Sequence, residues 1–503
     1  MIAHAVPLSS WLCVAPVLLG LVGACLLLAL RTLPRVSAAV CFSFLVAMFI
    51  ANAALLARVV SDGPVSITMG NWLPPFGIAF TADATGAGFA LMAAFVSWAA
   101  VVALIGSAPR TATANGLYSL ILLLVAGVSG AFLTGDIFNL YVWFEVMLIA
   151  SFGLMVLGGR PLHLDAAVKY GAINIVATTL LLVGVGLLYG LLGTLNFADI
   201  VNKAPGANPA LLAAVGALLC FALATKAAAF PLNAWLPASY HTPPAPVAAL
   251  MAGLLTKVAA YALLRVLLMV LPAARADLAL PITIVAVATA LIGPLSAIGE
   301  TGLRRALGFL LIGGIGVALL SLSDPLASAV AGSVAYLLVS ILTYAALYLI
   351  AGLVEAVTGE GDSRHMGGLY SQHTGLSILF FVTMLSAAGI PPLAGFWPKL
   401  LLLQGFLGAG NLTLALVVIA NALLSLIAVG RLWSRIFWRP VDAPSAGITK
   451  AGGTFGGFAG AALLSASVVV VGILPAPLVG LAQLAAHDLL DPSRYIAATA
   501  LVP

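Results

Sequence analysis

The sequence predicts an all-α polytopic membrane protein of about fourteen transmembrane helices, on three observations. Of its 503 residues, 63% are hydrophobic and only 7% are charged, whereas a soluble domain carries roughly 25% charged residues. Apolar runs of the roughly 20 residues that a helix needs to cross a hydrocarbon core recur along the chain. The alternating polarity of an outer-membrane barrel strand is missing. With 15 acids and 20 bases there is too little charge to solvate an exterior. That excludes a soluble enzyme, a disordered tail protein and a nucleic-acid binder, and makes the lipid bilayer the chain's surroundings.

The runs are bounded by clusters of Pro, Gly and charge, and each predicts one helix. The first three, at 9–30, 36–57 and 84–106, close at Arg31 and Arg35, at Arg58, and at Pro109-Arg110. Runs at 113–134, 136–158 and 163–192 are separated by Thr134-Gly135-Asp136 and by Gly158-Gly159-Arg160-Pro161. Those at 209–235 and 244–270 open at Asn208-Pro209 and Pro243-Pro244. The runs at 276–298, 303–322 and 326–354 follow Arg275, Gly299-Glu300 and Asp324-Pro325, and the last three lie at 375–407, 410–433 and 455–480.

Basic residues at alternate ends of these runs divide unequally. Arg31, Arg35, Arg110, Arg160, Arg304, Arg305, Arg364, Arg431, Arg435, Arg439 and Lys450 fall on one side; Arg58, Lys203, Arg265, Arg275 and Arg494 fall on the other. The richer side is expected to be cytoplasmic, which puts both termini outside a bacterial inner membrane. The formal charge of +5 then records orientation and requires no acidic partner. No base precedes the first run, so it reads as a retained span and not a cleavable signal. The longest connection, near 58–83, is about 25 residues, so any chemistry is intramembrane. Cys13, Cys25, Cys41 and Cys220 lie in apolar runs without CxxC spacing and read as small packing residues. No cofactor and no metal site is expected.

Two runs are interrupted. One reads Lys226 through Pro231, Asn233, Trp235 and Pro237; the other reads Gly389-Ile-Pro391-Pro392-Leu-Ala-Gly395-Phe-Trp397-Pro398-Lys399. Proline removes a helix hydrogen bond, and such breaks persist at membrane depth only where protein or a water-filled cavity satisfies the freed backbone. A pair of interrupted spans in the two halves of a chain points to transporter repeats around a central site.

Glu145, Lys169, Lys226, Lys257 and Lys399 remain inside runs. A central charge costs about 2.5–3.5 kcal/mol even on insertion scales, which makes such residues functional candidates. Lys169 lies two turns from a helix end and reads as an interfacial anchor. The other four form a candidate proton relay: desolvation disfavours a charged lysine and a nearby carboxylate favours it, so moving Glu145 relative to Lys226 would release a proton toward Lys257 and Lys399. Tyr261 lies one turn beyond Lys257 on the same face, and His241, which opens that helix, is a candidate surface shuttle. His365, His373, Glu355, Glu360 and Asp362 read as solvated loop residues.

The stretch Thr134-Gly-Asp-Ile-Phe-Asn139 through Trp143-Phe-Glu145 and Ser151 resembles the corresponding helix of the D subunit of the Mrp-type multisubunit sodium/proton antiporters. Lys226 through Pro237, Pro246-Val through Lys257 and Tyr261, Gly389 through Lys399, and Ile436-Phe-Trp-Arg-Pro440 are similar to that family's other signature segments. The wording around Glu145, the lysine at 399 and the absence of a long lateral helix favour this antiporter component over its complex I relatives. The resemblance implies two inverted five-helix repeats, spans 4–8 and 9–13, within residues 111–270 and 271–440, flanked by a three-helix segment (1–110) and a C-terminal helix and tail (441–503). It places Glu145, Lys226, Lys257 and Lys399 on the proton path, and it implies partner membrane subunits, protons and sodium, with potassium or lithium as other cations. One departure lies in span eleven, where relatives often carry His and Lys and this chain carries Ser340 and Tyr344, polar but not ordinarily protonatable near neutral pH. Both are accessory relay candidates. Gly313-Gly314-Ile-Gly316 likewise replaces more polar residues.

The expected function is therefore an antiporter subunit serving cation efflux and pH homeostasis, without enzymatic chemistry. Two alternatives are a proton-pumping subunit of a redox complex and a non-transporting scaffold.

Overall fold

The computed structural model describes residues 8–72, 74–105, 107–440 and 455–499; Lys450 and both chain termini lie outside them. The helices that carry the argument are α1 (Ala15–Leu30), α2 (Pro34–Asp62), α3 (Ala84–Leu104), α4 (Leu117–Leu133), α5 (Ile137–Val156), α6 (Pro161–Leu192), α7 (Pro209–Lys226) and α8 (Ala245–Val270). They continue with α9 (Ala279–Gly299), α10 (Leu303–Ser323), α11 (Ala327–Thr358), α12 (Thr374–Ala388), α13 (Phe396–Gly408), α14 (Leu412–Trp438), α15 (Phe455–Ile473) and α16 (Ala476–Leu490).

Among the described residues, 11 helices are long and apolar enough to cross a membrane. The difference from the fourteen runs falls on three of them: 9–30 and 113–134 fold as the shorter α1 and α4, and 375–407 is divided into α12 and α13. The segment after α2 is not only loop. Val65–Thr68 and Ala79–Ala82 pair as an antiparallel ribbon that leads into α3. Cys13 and Cys41 are buried, but Cys25 lies on the exposed apolar surface and Cys220 is half-buried, so those two are not interior packers.

Helices that are apolar all round belong inside, and α8, α10 and α11 form the centre of the bundle. Hydrocarbon gives no hydrophobic drive for one helix to prefer another over lipid, so close contact depends on small residues. The glycine stripe on α10 meets that need. A Cβ on Gly313 would lie 2.5 Å from the Pro294 ring, and one on Gly316 would lie 2.1 Å from the Ala290 backbone nitrogen of α9. Gly314 faces the other way, where the Tyr336 hydroxyl of α11 occupies the space of a Cβ, at 2.3 Å. Gly314 of α10 and Tyr336 of α11 are thus complementary in volume. Gly316→Leu is expected to force α9 and α10 apart at a cost of about 1–3 kcal/mol, seen as a lower melting temperature of the detergent-solubilised protein; an unchanged melt would refute this account of the contact.

Arg265 corrects the sequence-based division of bases. The alternation of runs assigns it to the poorer face, but it is 1% exposed within α8. The apolar run continues past it to Val270, and an acid from the start of another helix neutralises it there.

Candidate ion-translocation site

The three interior lysines are each buried: Lys226 at 5%, Lys257 at 1% and Lys399 at 4% exposure. None forms an ion pair with a carboxylate among the described residues. Each amine donates to a neutral oxygen.

Lys226 is the last residue of α7, where carbonyls lack intrahelical partners and the helix dipole favours a cation. The helix stops there because Ala228 takes a left-handed conformation, φ 59°. The chain then crosses Pro231 and resumes at Trp235–Ser239. The freed backbone is satisfied from neighbouring groups: Phe230 N donates to Thr289 Oγ1 at 3.0 Å, and the Trp235 indole donates to the Thr225 carbonyl at 3.1 Å. The Lys226 ammonium donates to Thr178 Oγ1 of α6 at 2.6 Å and lies 5.1 Å from the Phe144 ring centre. Thr178 donates to the Asn174 carbonyl at 2.7 Å, and one turn before it the Tyr170 hydroxyl meets Ser151 Oγ at 2.7 Å. A cavity of about 20 Å³ touches Lys226, Asn174, Tyr170 and Trp235, room for one water molecule. Thr178 is a residue that the sequence does not single out. Thr178→Val should leave the ammonium without its acceptor and lower proton flux by roughly ten-fold, with Thr178→Ser close to wild type. Equal flux in all three forms would exclude Thr178 from this role.

Glu145 is not in contact with Lys226. It acts on Lys226 through its charge but lies beyond the 4.0 Å of an ion pair. It is half-buried, on the side of α5 that also carries the exposed Phe138, Ile149 and Phe152. The pair expected from the sequence is therefore unmade in this conformation.

Lys257 lies on α8, which widens to π geometry over Met251–Leu255. Its amine donates to the Ala252 carbonyl at 2.5 Å and lies 4.9 Å from the centre of the Tyr344 ring. Ser340 is one turn away on α11, buried, and donates to its own Leu337 carbonyl at 3.0 Å. Tyr261 donates to the Phe132 carbonyl at 2.8 Å.

The second interruption lies between α12 and α13, across Pro391 and Pro392. Lys399 folds back from the first turn of α13 so that its amine reaches the Ala388 carbonyl at the end of α12, 2.8 Å away. Gly389 makes this possible: its φ is +88°, and a Cβ there would lie 2.7 Å from Lys399 Cδ. Lys399 thus meets the C-terminal end of a half-helix, whereas Lys226, the last residue of its own half-helix, reaches across to the Thr178 hydroxyl.

His241 lines a cavity of about 440 Å³ at the arginine-rich end of the bundle, together with His163, Arg160, Arg304 and Glu355. Its Nδ1 lies 2.9 Å from the Pro237 carbonyl, and burial pushes its imidazole below the ordinary histidine value. Glu355 is not a solvated loop acid: it pairs with Arg304 at 2.5 Å, and Arg304 also donates to the Pro243 carbonyl at 2.7 Å. Lys169 behaves as an exposed residue paired one turn back with Asp165.

Residues 134–425 match the family described as NADH:quinone oxidoreductase/Mrp antiporter, transmembrane. The chain belongs to this family. Within it, the chain is 37% identical over 395 residues to the D subunit of the Na(+)/H(+) antiporter of Alkalihalophilus pseudofirmus, covering 78% of this chain and 80% of that one. The corresponding D subunit of Bacillus subtilis is 35% identical over 385 residues, covering 76% and 78%. A chain in the structure of the Mrp complex from a Dietzia species superposes with a TM-score of 0.90 at 29% identity, over 98% of this chain and all of that one. A chain of respiratory complex I from Thermus thermophilus shares the fold, with a TM-score of 0.80 at 24% identity over 96% of this chain. The Mrp/complex I family membership agrees with the resemblance read from the motifs, and its matched region includes Glu145, Lys226, Lys257 and Lys399.

Proposed function

We propose that this chain is the proton-translocating D subunit of a multisubunit monovalent cation/proton antiporter. The arginine-rich end faces the cytoplasm, and protons travel along Glu145, Lys226, Lys257 and Lys399. The observation that carries the reading is that three buried lysines hold their amines on neutral oxygens, with no carboxylate among the described residues bound to any of them. Such an amine exchanges its proton with little rearrangement, because the neutral form loses one hydrogen bond and no ion pair. Thr178 holds the Lys226 amine, the end of α12 that of Lys399 and the π turn that of Lys257, and water carries the proton between them. Approach of Glu145 to Lys226 favours the charged lysine, and withdrawal releases its proton. His241 and its cavity supply the cytoplasmic entrance. Cation specificity is assigned to sodium on the names of the relatives.

The test is cation-dependent proton flux in vesicles that hold the assembled complex, with sodium, potassium and lithium compared. Flux that requires sodium supports the reading; cation-independent flux overturns it. The second reading, a subunit of a redox-driven pump, draws on the shared fold of complex I. Flavin or iron–sulfur proteins co-purifying with the chain would favour it, whereas small membrane subunits without such cofactors favour the antiporter.

A further inference from the structure

On α8 the sequence Lys257, Tyr261, Arg265 steps by four residues, which puts all three on one face. The column leads from the centre of the bundle to the end opposite the arginine-rich one. There Arg265 forms a two-pronged pair with Asp83, at 2.5 Å and 2.7 Å, and donates to the Tyr261 hydroxyl at 3.0 Å. Asp83 is also fixed as the cap of α3, accepting from Gly86 N at 2.8 Å. The ring of Tyr495 covers the guanidinium, 5.4 Å away.

Helix α16 packs on α3 and on the end of α8, and it brings a second carboxylate, Asp488, whose side chain is 1% exposed. Its Oδ1 accepts from Arg494 at 3.0 Å and lies 3.6 Å from His487 Nδ1. Its Oδ2 is buried with no hydrogen-bond partner among the described residues, as are the Tyr495 hydroxyl, the Thr85 hydroxyl and Arg265 Nε. Asp83 is near enough to repel the Asp488 charge. Facing Asp488 are therefore Asp83 from the start of α3, Arg494 from the C-terminal turn and His487 beside it, with Arg265 and Tyr495 grouped behind Asp83.

Two carboxylates share this enclosure on unequal terms. Asp83 has a guanidinium on both oxygens and a backbone donor, so its acceptors are met. Asp488 has one oxygen paired at the rim and one that is buried with no partner among the described residues, where an ionised acceptor is costly. Protonation of Oδ2 converts that acceptor into a donor. His487 and Arg494, with side chains 59% and 35% exposed, lead from it to the surface.

We propose that Asp488 is a proton-binding site at the outer end of the Lys257 column, loaded by water on that side. The Asp83–Arg265 pair, neutral as a whole, lies at the far end of the same column, with its two charges held on each other. The step is a proton transfer only: the proton passes between solvent water and Asp488 Oδ2, and Arg265 stays charged throughout. The orientation rests on the antiporter reading, but proton binding does not.

Infrared difference spectra of the assembled wild-type complex, recorded while pH is titrated, should contain the C=O stretch of a protonated buried carboxyl. Asp488→Asn removes that band, and Asp488→Glu, which keeps the carboxyl, shifts it. Asp491→Asn, at an exposed neighbouring position, leaves it in place. A band that both Asp488 variants retain unaltered overturns the proposal; if the Asn form does not assemble, the Glu form alone decides by the same criterion. In vesicles, the dependence of flux on outer pH should shift by about one unit or flatten in Asp488→Asn, whereas a structural role would scale flux equally at every pH. Wild-type vesicles without cation-dependent flux would reject the antiporter reading and leave the infrared result to judge Asp488.

Discussion

Lys226→Ala is expected to lower cation-dependent proton flux by on the order of 100-fold, with the complex still assembled. Lys226 ends α7 and its amine donates to a single threonine, so its removal deletes the proposed proton carrier and breaks no ion pair. Assembly should survive, because the backbone of the interruption is held by Thr289 and Trp235. Glu145→Ala should reduce flux to a similar extent. The informative variant is the double one. If Glu145 and Lys226 act in one relay, losing both should cost no more than losing either, as for groups that work as a unit. Multiplying effects would sink the relay and assign the residues separate roles.

The largest effect on stability is expected at Asp83. Asp83→Ala would leave the Arg265 guanidinium unpaired at 1% exposure, and breaking a buried pair in this way costs about 3–5 kcal/mol. The variant should fail to accumulate or should melt far below wild type. Replacing both members, Asp83→Asn with Arg265→Met, should recover much of the loss because no buried charge is then uncompensated. A single variant that melts with wild type would show that water already solvates the guanidinium, contrary to the enclosure described.

Much of this architecture is legible in the sequence because the bilayer simplifies the code. A helix must satisfy its own backbone groups in lipid, so apolar length locates α2, α5, α6, α9 and α10 to within a few residues. The interruptions are equally visible, because Pro231, Pro391 and Pro392 stand where no unbroken helix can pass. Partnership is what the linear sequence hides. Arg265 and Lys257 look alike from composition, yet one is neutralised by Asp83 and the other is not, and nothing local distinguishes them. Glu355, near the end of α11, reads as loop until Arg304 is seen beside it. Thr178 is one of several polar residues on α6, and only the geometry brings it to Lys226. The α10 glycines read as a loss of polar function in one dimension; in three, Gly313 and Gly316 let α9 approach and Gly314 is the space that Tyr336 fills.

The Asp83–Arg265 pair also has a history in time. Its members are 182 residues apart in the chain, and a ribosome adding about 5–20 residues per second takes roughly 10–40 seconds to make the second after the first. For that interval α3 stands in the membrane with an uncompensated acid at its end, and α8 then arrives carrying both Lys257 and Arg265. Each such charge weighs about 2.5–3.5 kcal/mol against insertion of a lone helix. Asp83 is the ready-made docking point that offsets one of them. The pair thus ties the placement of the central helix to α3, which the ribosome makes first.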